Sequence, residues 1–229
     1  MLLSNAFSFP LSCKAIIDIS YQNTLAFENA GIKSFHFDPI IKQSELTITS
    51  EERNHNLFRS TNKNLFLDYR KAMHDRYYDV CFFGNYSAKR DKFFSRNSKF
   101  FSEYDTFMYY RKTDGIIPSS AFTTVPKYVS QNSKLNLNIH RDESNFFEWH
   151  RIVLQGMACG SVVITDECLE HPLYKNGKHF LTESVRHIPD MIQWLLNTED
   201  GYKKLEDIQR NCFYILSDET IIKSKKNDI

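Results

Sequence analysis

The chain lacks most of the features that would assign it a chemistry directly. Its five cysteines (Cys13, Cys81, Cys159, Cys168, Cys212) are odd in number and widely spaced, with no C-x-x-C pair. That argues against a disulfide framework and a zinc ribbon, and it favours a reducing, cytoplasmic setting. No run approaches the roughly 18 apolar residues of a membrane helix, and the opening MLLSNAFSFPLSC has no basic leader and is broken by Pro10. There is no G-x-G-x-x-G fingerprint, Walker loop, nucleophile elbow, kinase signature or H-E-x-x-H pair. The histidines His140, His150, His171 and His179 have no zinc-helix spacing, so no metal is expected. A formal charge of +1 gives no global case for nucleic acid or a membrane surface. The block KSKK from Lys223 reads as part of a solvated tail.

What is present is an alternation of strand-like and helix-like segments in a chain long enough to bury a substantial core. Residues 1–40 contain a strand from Ala15 to Ser20, a helix from Asn23 to Ala30 closed by Gly31, and a strand from Ile32 to Phe37. They read as the remnant of a preceding α/β half. Residues 41–76 are polar and poorly periodic, a linker with one short helix near Leu65 to Ala72. Residues 77–216 form a second series. It runs through the strand DVCFFG from Asp79, the helix SAKRDKFFSRNSKFF, a strand from Asp105 to Tyr110, and a helix from Ser120 to Gln131 interrupted at Pro126. The strand from Leu135 to Ile139 follows, then a helix starting near Asn145, capped by it or by Asp142 or Ser144, and ending at Gly160. A strand from Ser161 to Thr165, a short one from His179 to Thr182, and helices from Ile188 to Leu196 and Gly201 to Leu216 complete it, leaving 217–229 as a polar tail. This order predicts an α/β fold: a Rossmann-like parallel sheet with helices on both faces. The 19 Phe and 12 Tyr are spread through these elements, as core packing requires, and do not form a base-stacking platform.

In a parallel sheet ligands bind outside the carboxyl ends of the strands, and the chemically capable residues gather in the segments that reach that edge. Gly84 and Asn85 end the first strand of the series, with Lys89 and Arg90 one turn into the next helix, where a glycine and two cations suit a phosphate. An ordinary turn is the plainer reading of the glycine alone. His140 follows the strand from Leu135 as a hydrogen-bonding group or the one evident acid or base of its loop. Glu148 and Arg151 fall in the opening turns of the next helix, facing a ligand or simply paired with each other. Asp166 and Glu167 follow the strand from Ser161, placed to accept hydrogen bonds from sugar hydroxyls or to cap the next helix.

The stretch FFEWHRIVLQGMACGSVVITDECLEHPLYKNGKHFLT resembles the donor-binding, C-terminal half of GT-B glycosyltransferases of the group 1 type, and among them the spore-maturation glycosyltransferase-like group. The likeness lies in Gln155 to Gly160, the strand Val162 to Thr165, the acidic Asp166 and Glu167, and the turn Gly177, Lys178 and His179. DVCFFGNYSAKRDKFF is similar to the first strand and phosphate loop of that half. The resemblance covers about residues 79–215, and more faintly 15–40 as the last strand of the preceding half. It implies a nucleotide-sugar donor without a separate cofactor, and transfer of a hexose to a hydroxyl of a glycan, lipid or protein acceptor. Gly84, Asn85, Lys89, Arg90, His140, Glu148, Arg151, Gln155, Asp166 and Glu167 would then contact the donor; no catalytic residue is assigned. Many retaining members carry two glutamates separated by seven residues, the second on the donor ribose. Here the first position is Phe147, with Glu148 one place along, and the second is Gln155, whose amide can hydrogen-bond a hydroxyl but supplies no carboxylate. With one complete half in the chain, the alternatives are a separate acceptor-binding chain beside it or a noncatalytic nucleotide- or sugar-binding module.

Overall fold

In the segment Tyr78–Asn85, aromatic and β-branched residues alternate in direction along an extended chain, so each face of the strand meets its own apolar cluster. Val80 and Phe82 join Phe93, Leu135, Leu137 and Ile164 on one side. Cys81 and Phe83 join Val125, Tyr128 and Val129 on the other. A strand buried on both faces is the mark of a parallel sheet between helical layers. The computed structural model describes residues 14–39, 41, 46, 70–111, 120–143 and 145–217, without the side chains of 111 and 120–123.

The elements in chain order are β1 (Ile16–Asp18), α1 (Tyr21–Asn29), β2 (Ser34–His36), β3 (Tyr78–Asn85), α2 (Ala88–Arg96), α3 (Ser98–Phe101), β4 (Thr106–Arg111), α4 (Ser120–Gln131), β5 (Ser133–Asn138), a π-helix (His150–Gly156), a 3₁₀ turn (Met157–Cys159), β6 (Val162–Thr165), β7 (Leu181–Thr182), α5 (Ile188–Asn197) and α6 (Glu199–Ser217). Strands β3 to β7 form one five-stranded parallel sheet in the order β4-β3-β5-β6-β7, and β1 pairs with β2 in a separate parallel pair. The register aligns Phe82 with Leu137, Leu137 with Ile164 and Ile164 with Leu181. One buried row therefore crosses the sheet beneath α2, α3, α5 and α6, while α4 and the π-helix cover the opposite face. Burying a side chain such as Phe82 or Leu137 contributes about 1.5–3 kcal/mol, so this row dominates the stability of the domain.

Three local expectations differ from the structure. Helix α4 runs through Pro126 without a break. The missing N–H costs one hydrogen bond, which packing of Val125, Tyr128 and Val129 against Cys81 and Phe83 offsets. The helix after β5 begins at His150, with no side-chain cap from Asn145 or Asp142, and winds as a π-helix before tightening to a 3₁₀ turn; Ser144 lies outside the described residues. Gly156 explains the wide winding in part, since a Cβ there would lie 2.0 Å from Val163 Cγ2, so the helix backbone rests directly on β6. The turn then ends at Gly160 in the left-handed region (φ 76°), a conformation suited to glycine. The long helix after β3 is divided at Asn97 into α2 and α3. The helix expected near Leu65 lies almost wholly outside the described residues, and Arg70 to Ala72 are not helical.

The amino edge of the sheet is closed by Arg76. Its guanidinium, 3% exposed, donates to the carbonyls of Ser130 (3.2 Å), Ser133 (3.0 Å), Cys159 (3.3 Å) and Lys71 (3.4 Å). Gln209 of α6 adds bonds to Gly160 O and Lys71 O, both 3.0 Å.

Candidate functional site

The opposite, carboxyl edge carries the charge. Ser87 caps α2 by accepting from Arg90 N at 3.2 Å, which sets Lys89 and Arg90 at the start of that helix on different sides. Arg90 turns inward and is 2% exposed. Its Nε donates to Ile139 O (2.7 Å) and its Nη1 to Asn85 O (3.0 Å), tying the end of β3 to the end of β5, with the guanidinium over the Phe82 ring at 5.5 Å. Burial, and then the nearby Arg151, push its pKa down to about 10. Gly84 is needed for this packing: a Cβ there would meet the buried Phe82 ring at 2.5 Å and Arg90 Nη1 at 3.1 Å.

Lys89 faces outward into an ionic hub. Its Nζ lies 2.9 Å from Asp166 Oδ2, 3.0 Å from Asp142 O and 3.5 Å from Glu143 Oε2. Asp166 uses its other oxygen on His140, accepting from the backbone N at 3.0 Å and meeting Nδ1 at 2.5 Å. The second ring nitrogen of His140 faces Phe146 O at 2.7 Å. Both nitrogens thus meet acceptors, an arrangement that only the doubly protonated imidazolium satisfies. Burial works against the charged forms of all three groups. The hydrogen bond and charge of Asp166 outweigh it and raise the pKa of His140 and of Lys89, and those of His140 and Lys89 lower that of Asp166.

Arg151, on the first turn of the π-helix, donates to Phe83 O through Nη1 and lies 3.6 Å from Glu148 Oε2 through Nε. Both side chains are partly exposed. The Gln155 amide meets His150 Nε2 at 3.2 Å, away from the ionic hub. His150 has its pKa lowered by burial and then by Arg151. Glu167 is exposed beside Asp166.

The structure therefore brings Gly84, Asn85, Lys89, Arg90, His140, Glu148, Arg151 and Asp166 to one edge, with Glu167 at its rim and Gln155 about one turn beyond Arg151 on the same π-helix, against His150. Arg90 and His140 are both buried, with polar atoms bonded to the surrounding frame. Two cavities open here. A smaller one of about 250 Å³ is lined by Lys89, Glu143, Asn145, Asp166, Glu167 and Ser184. A larger one of about 830 Å³ runs along α2, with Lys92, Phe93 and Arg96 on one wall and Val185 and Arg186 on the other. The sequence reading missed Lys92, Arg96 and Arg186. The signal available was the helical spacing of Lys89, Lys92 and Arg96.

Among the described residues one further cluster has the composition of a metal site: His36, Asp38 and His171, with candidate ligand atoms within 4.8 Å of one another. His171 Nδ1, however, accepts the N–H groups of Leu173 (3.2 Å) and Tyr174 (3.4 Å). Its proton is then on Nε2, which faces Asp38 Oδ1 at 3.4 Å and keeps no lone pair for a cation. The cluster instead joins the end of β2 to the loop after β6, assisted by Gln22 Nε2 donating to Glu170 O at 2.8 Å.

No family model matches this chain, and neither does any curated protein. Solved structures do. HepE (Alr3699) of Anabaena, determined with UDP-glucose, aligns with a TM-score of 0.56 at 12% identity over 94% of this chain and 63% of its own. The same protein with UDP gives 0.59 at 10% identity. TarM gives 0.52 at 14% identity, over 98% of this chain and 45% of its own. The chain thus spans less than two thirds of the length of HepE and under half that of TarM. No helix of the described residues is long and apolar enough to cross a membrane. At such identities the fold is what is shared: the five-stranded parallel sheet flanked by helices is the Rossmann-like α/β architecture of the GT-B glycosyltransferases.

Proposed function

We propose that the carboxyl edge of the sheet binds a nucleotide-sugar and that the chain is a glycosyltransferase domain transferring the sugar to a hydroxyl acceptor. The observation that carries this reading is the likeness over 94% of the chain to HepE, a protein determined with UDP-glucose. In this reading the backbone at Gly84 to Ser87 and the start of α2 receive the diphosphate, with Arg151 supplying positive charge as the nucleoside diphosphate departs. Lys89 contributes at the margin of the same site. Glu148, Gln155 and Glu167 accept or donate hydrogen bonds to ribose and sugar hydroxyls. Arg90, His140 and Asp166 act as positioning residues: Arg90 holds the ends of β3 and β5 together, and the His140–Asp166–Lys89 hub holds the loop that leads to Glu148. The described residues assign no catalytic base.

A noncatalytic nucleotide- or sugar-binding module is the second reading. It is favoured by Gln155, an amide where the resembling enzymes carry a ribose-binding carboxylate. Calorimetry with UDP, UDP-glucose and other nucleoside diphosphates tests the shared part of both readings. Selective binding weakened about tenfold by Arg151→Ala is expected, and a flat response from folded protein overturns the donor site. Release of nucleoside diphosphate from the donor without acceptor separates the two, since only the enzyme produces it.

A further inference from the structure

The cations expected to meet a phosphate at the strand ends are largely committed: Arg90 to two carbonyls, Lys89 to Asp166, and Arg151 to Phe83 O and Glu148. Besides Arg141, exposed at that edge, positive charge without a carboxylate partner among the described residues lies at Lys92, Arg96 and Arg186. All three are exposed, and they line the cavity of about 830 Å³ between α2 and the segment before α5. That volume falls within the roughly 300–1,000 Å³ of small-ligand sites. Lys92 and Arg96 are four residues apart and so share one face of α2, with Arg186 across from them. Phe93, 3% exposed, and Val185 give the cavity an apolar lining.

The larger cavity adjoins the smaller one, and Lys89, Glu143 and Val185 line both. The two spaces differ in charge. The smaller carries the exposed Glu143 and Glu167, which suit hydroxyl groups, and the larger carries the three cations, with Glu143 at the boundary between them. With a formal charge of only +1 on the whole chain, the cationic end is a local concentration and not an overall bias.

We propose that this outer cavity is an anion-binding subsite for a phosphate-bearing carbohydrate acceptor, whose phosphate lies among Lys92, Arg96 and Arg186 while its hydroxyls reach Glu143 and Glu167. The role as acceptor rests on the glycosyltransferase reading above; the anion binding does not.

The test is calorimetric titration of the full chain with glucose 6-phosphate, with glucose as the uncharged control, on wild type, Lys92→Ala/Arg96→Ala and Arg186→Ala. Exposed positions make these variants fold normally, which thermal melting checks. The expected result is that glucose 6-phosphate binds and glucose does not, that each variant weakens binding at least tenfold, and that raising salt from about 50 to 200 mM weakens it further. UDP affinity is expected to change less than twofold in the same variants. Absence of glucose 6-phosphate binding, or binding indifferent to all three cations, overturns the subsite. Loss of UDP binding in the variants also overturns it, because the cations then serve the donor. Wild-type protein that binds glucose 6-phosphate but not UDP leaves the subsite standing and removes the donor reading.

Discussion

The two edges of the sheet solve the same problem by different means. Each buries an arginine almost completely, Arg76 at 3% exposure on the amino side and Arg90 at 2% on the carboxyl side. Arg76 donates to backbone carbonyls, in a hydrogen-bond network with Ser161 and Gln209 that joins α4, β5, β6 and α6. Arg90 also donates to carbonyls, but ionised groups stand around it: Arg151, Glu148, Asp166 and Arg141 all act on its charge. Neutral acceptors spread over several elements consolidate a fold. Ionised groups held close together near the surface depend on pH and salt, and they can exchange partners with a ligand. The difference teaches that burial of charge does not by itself mark a site; what surrounds the charge does.

The comparison is most severely broken at its structural end. Arg76→Ala removes the donor of Cys159 O and one of the donors of Ser130 O, Ser133 O and Lys71 O, an unmet buried carbonyl being worth about 1–3 kcal/mol, and leaves a cavity worth about 2–5 kcal/mol more, against a whole-domain stability of about 5–15 kcal/mol. Urea denaturation is expected to show a loss of about 5 kcal/mol or little folded protein at all. At the other edge, Asp166→Asn removes the counter-charge of His140 and Lys89 together, a loss of about 3–5 kcal/mol as for other broken buried pairs. Fold and secondary structure are expected to survive, so that circular dichroism stays near wild type while the melting temperature falls.

A third substitution probes the covering helix without touching charge. Gly156→Ala forces a methyl into Val163, 0% exposed, and is expected to cost about 1–3 kcal/mol by overpacking, measured by the same denaturation.

The smallest effect is one of pH. His140 has its pKa raised above 6.5 in the folded chain, so its contribution is fully present below that value and is lost as pH rises through the folded pKa. Asp166 is depressed below 3.8, so its contribution is present above that value and lost as pH falls through the folded pKa. Both shifts express one shared interaction and are not summed. The stability difference between wild type and His140→Gln is therefore expected to be largest near pH 5–6 and to shrink towards pH 9, in melts across that range. A difference that stays constant would show that the imidazolium does not hold the loop.

Much of the architecture was legible in residue patterns. The strands at Asp79, Asp105, Leu135 and Ser161 were each read within about three residues of their observed ends, because β-branched and aromatic runs bounded by polar residues report burial directly. The parallel sheet with helices on both faces followed from their alternation with helical segments. The π-helix was not legible, since its packing depends on how closely Gly156 approaches Val163 on another element. Proline alone predicted a break in α4 that packing on Cys81 and Phe83 prevents.

For the site, the sequence by itself determined which residue types reach the carboxyl edge, because strand order and helix starts place Gly84, Lys89, Arg90, His140, Glu148, Arg151 and Asp166 there regardless of detail. Only the tertiary structure decided which of them face a ligand. Adjacent residues on a helix point about 100° apart, so Lys89 and Arg90 look equivalent in a string of letters; once the ends of β3 and β5 are in place, Arg90 is turned into their carbonyls and Lys89 towards Asp166.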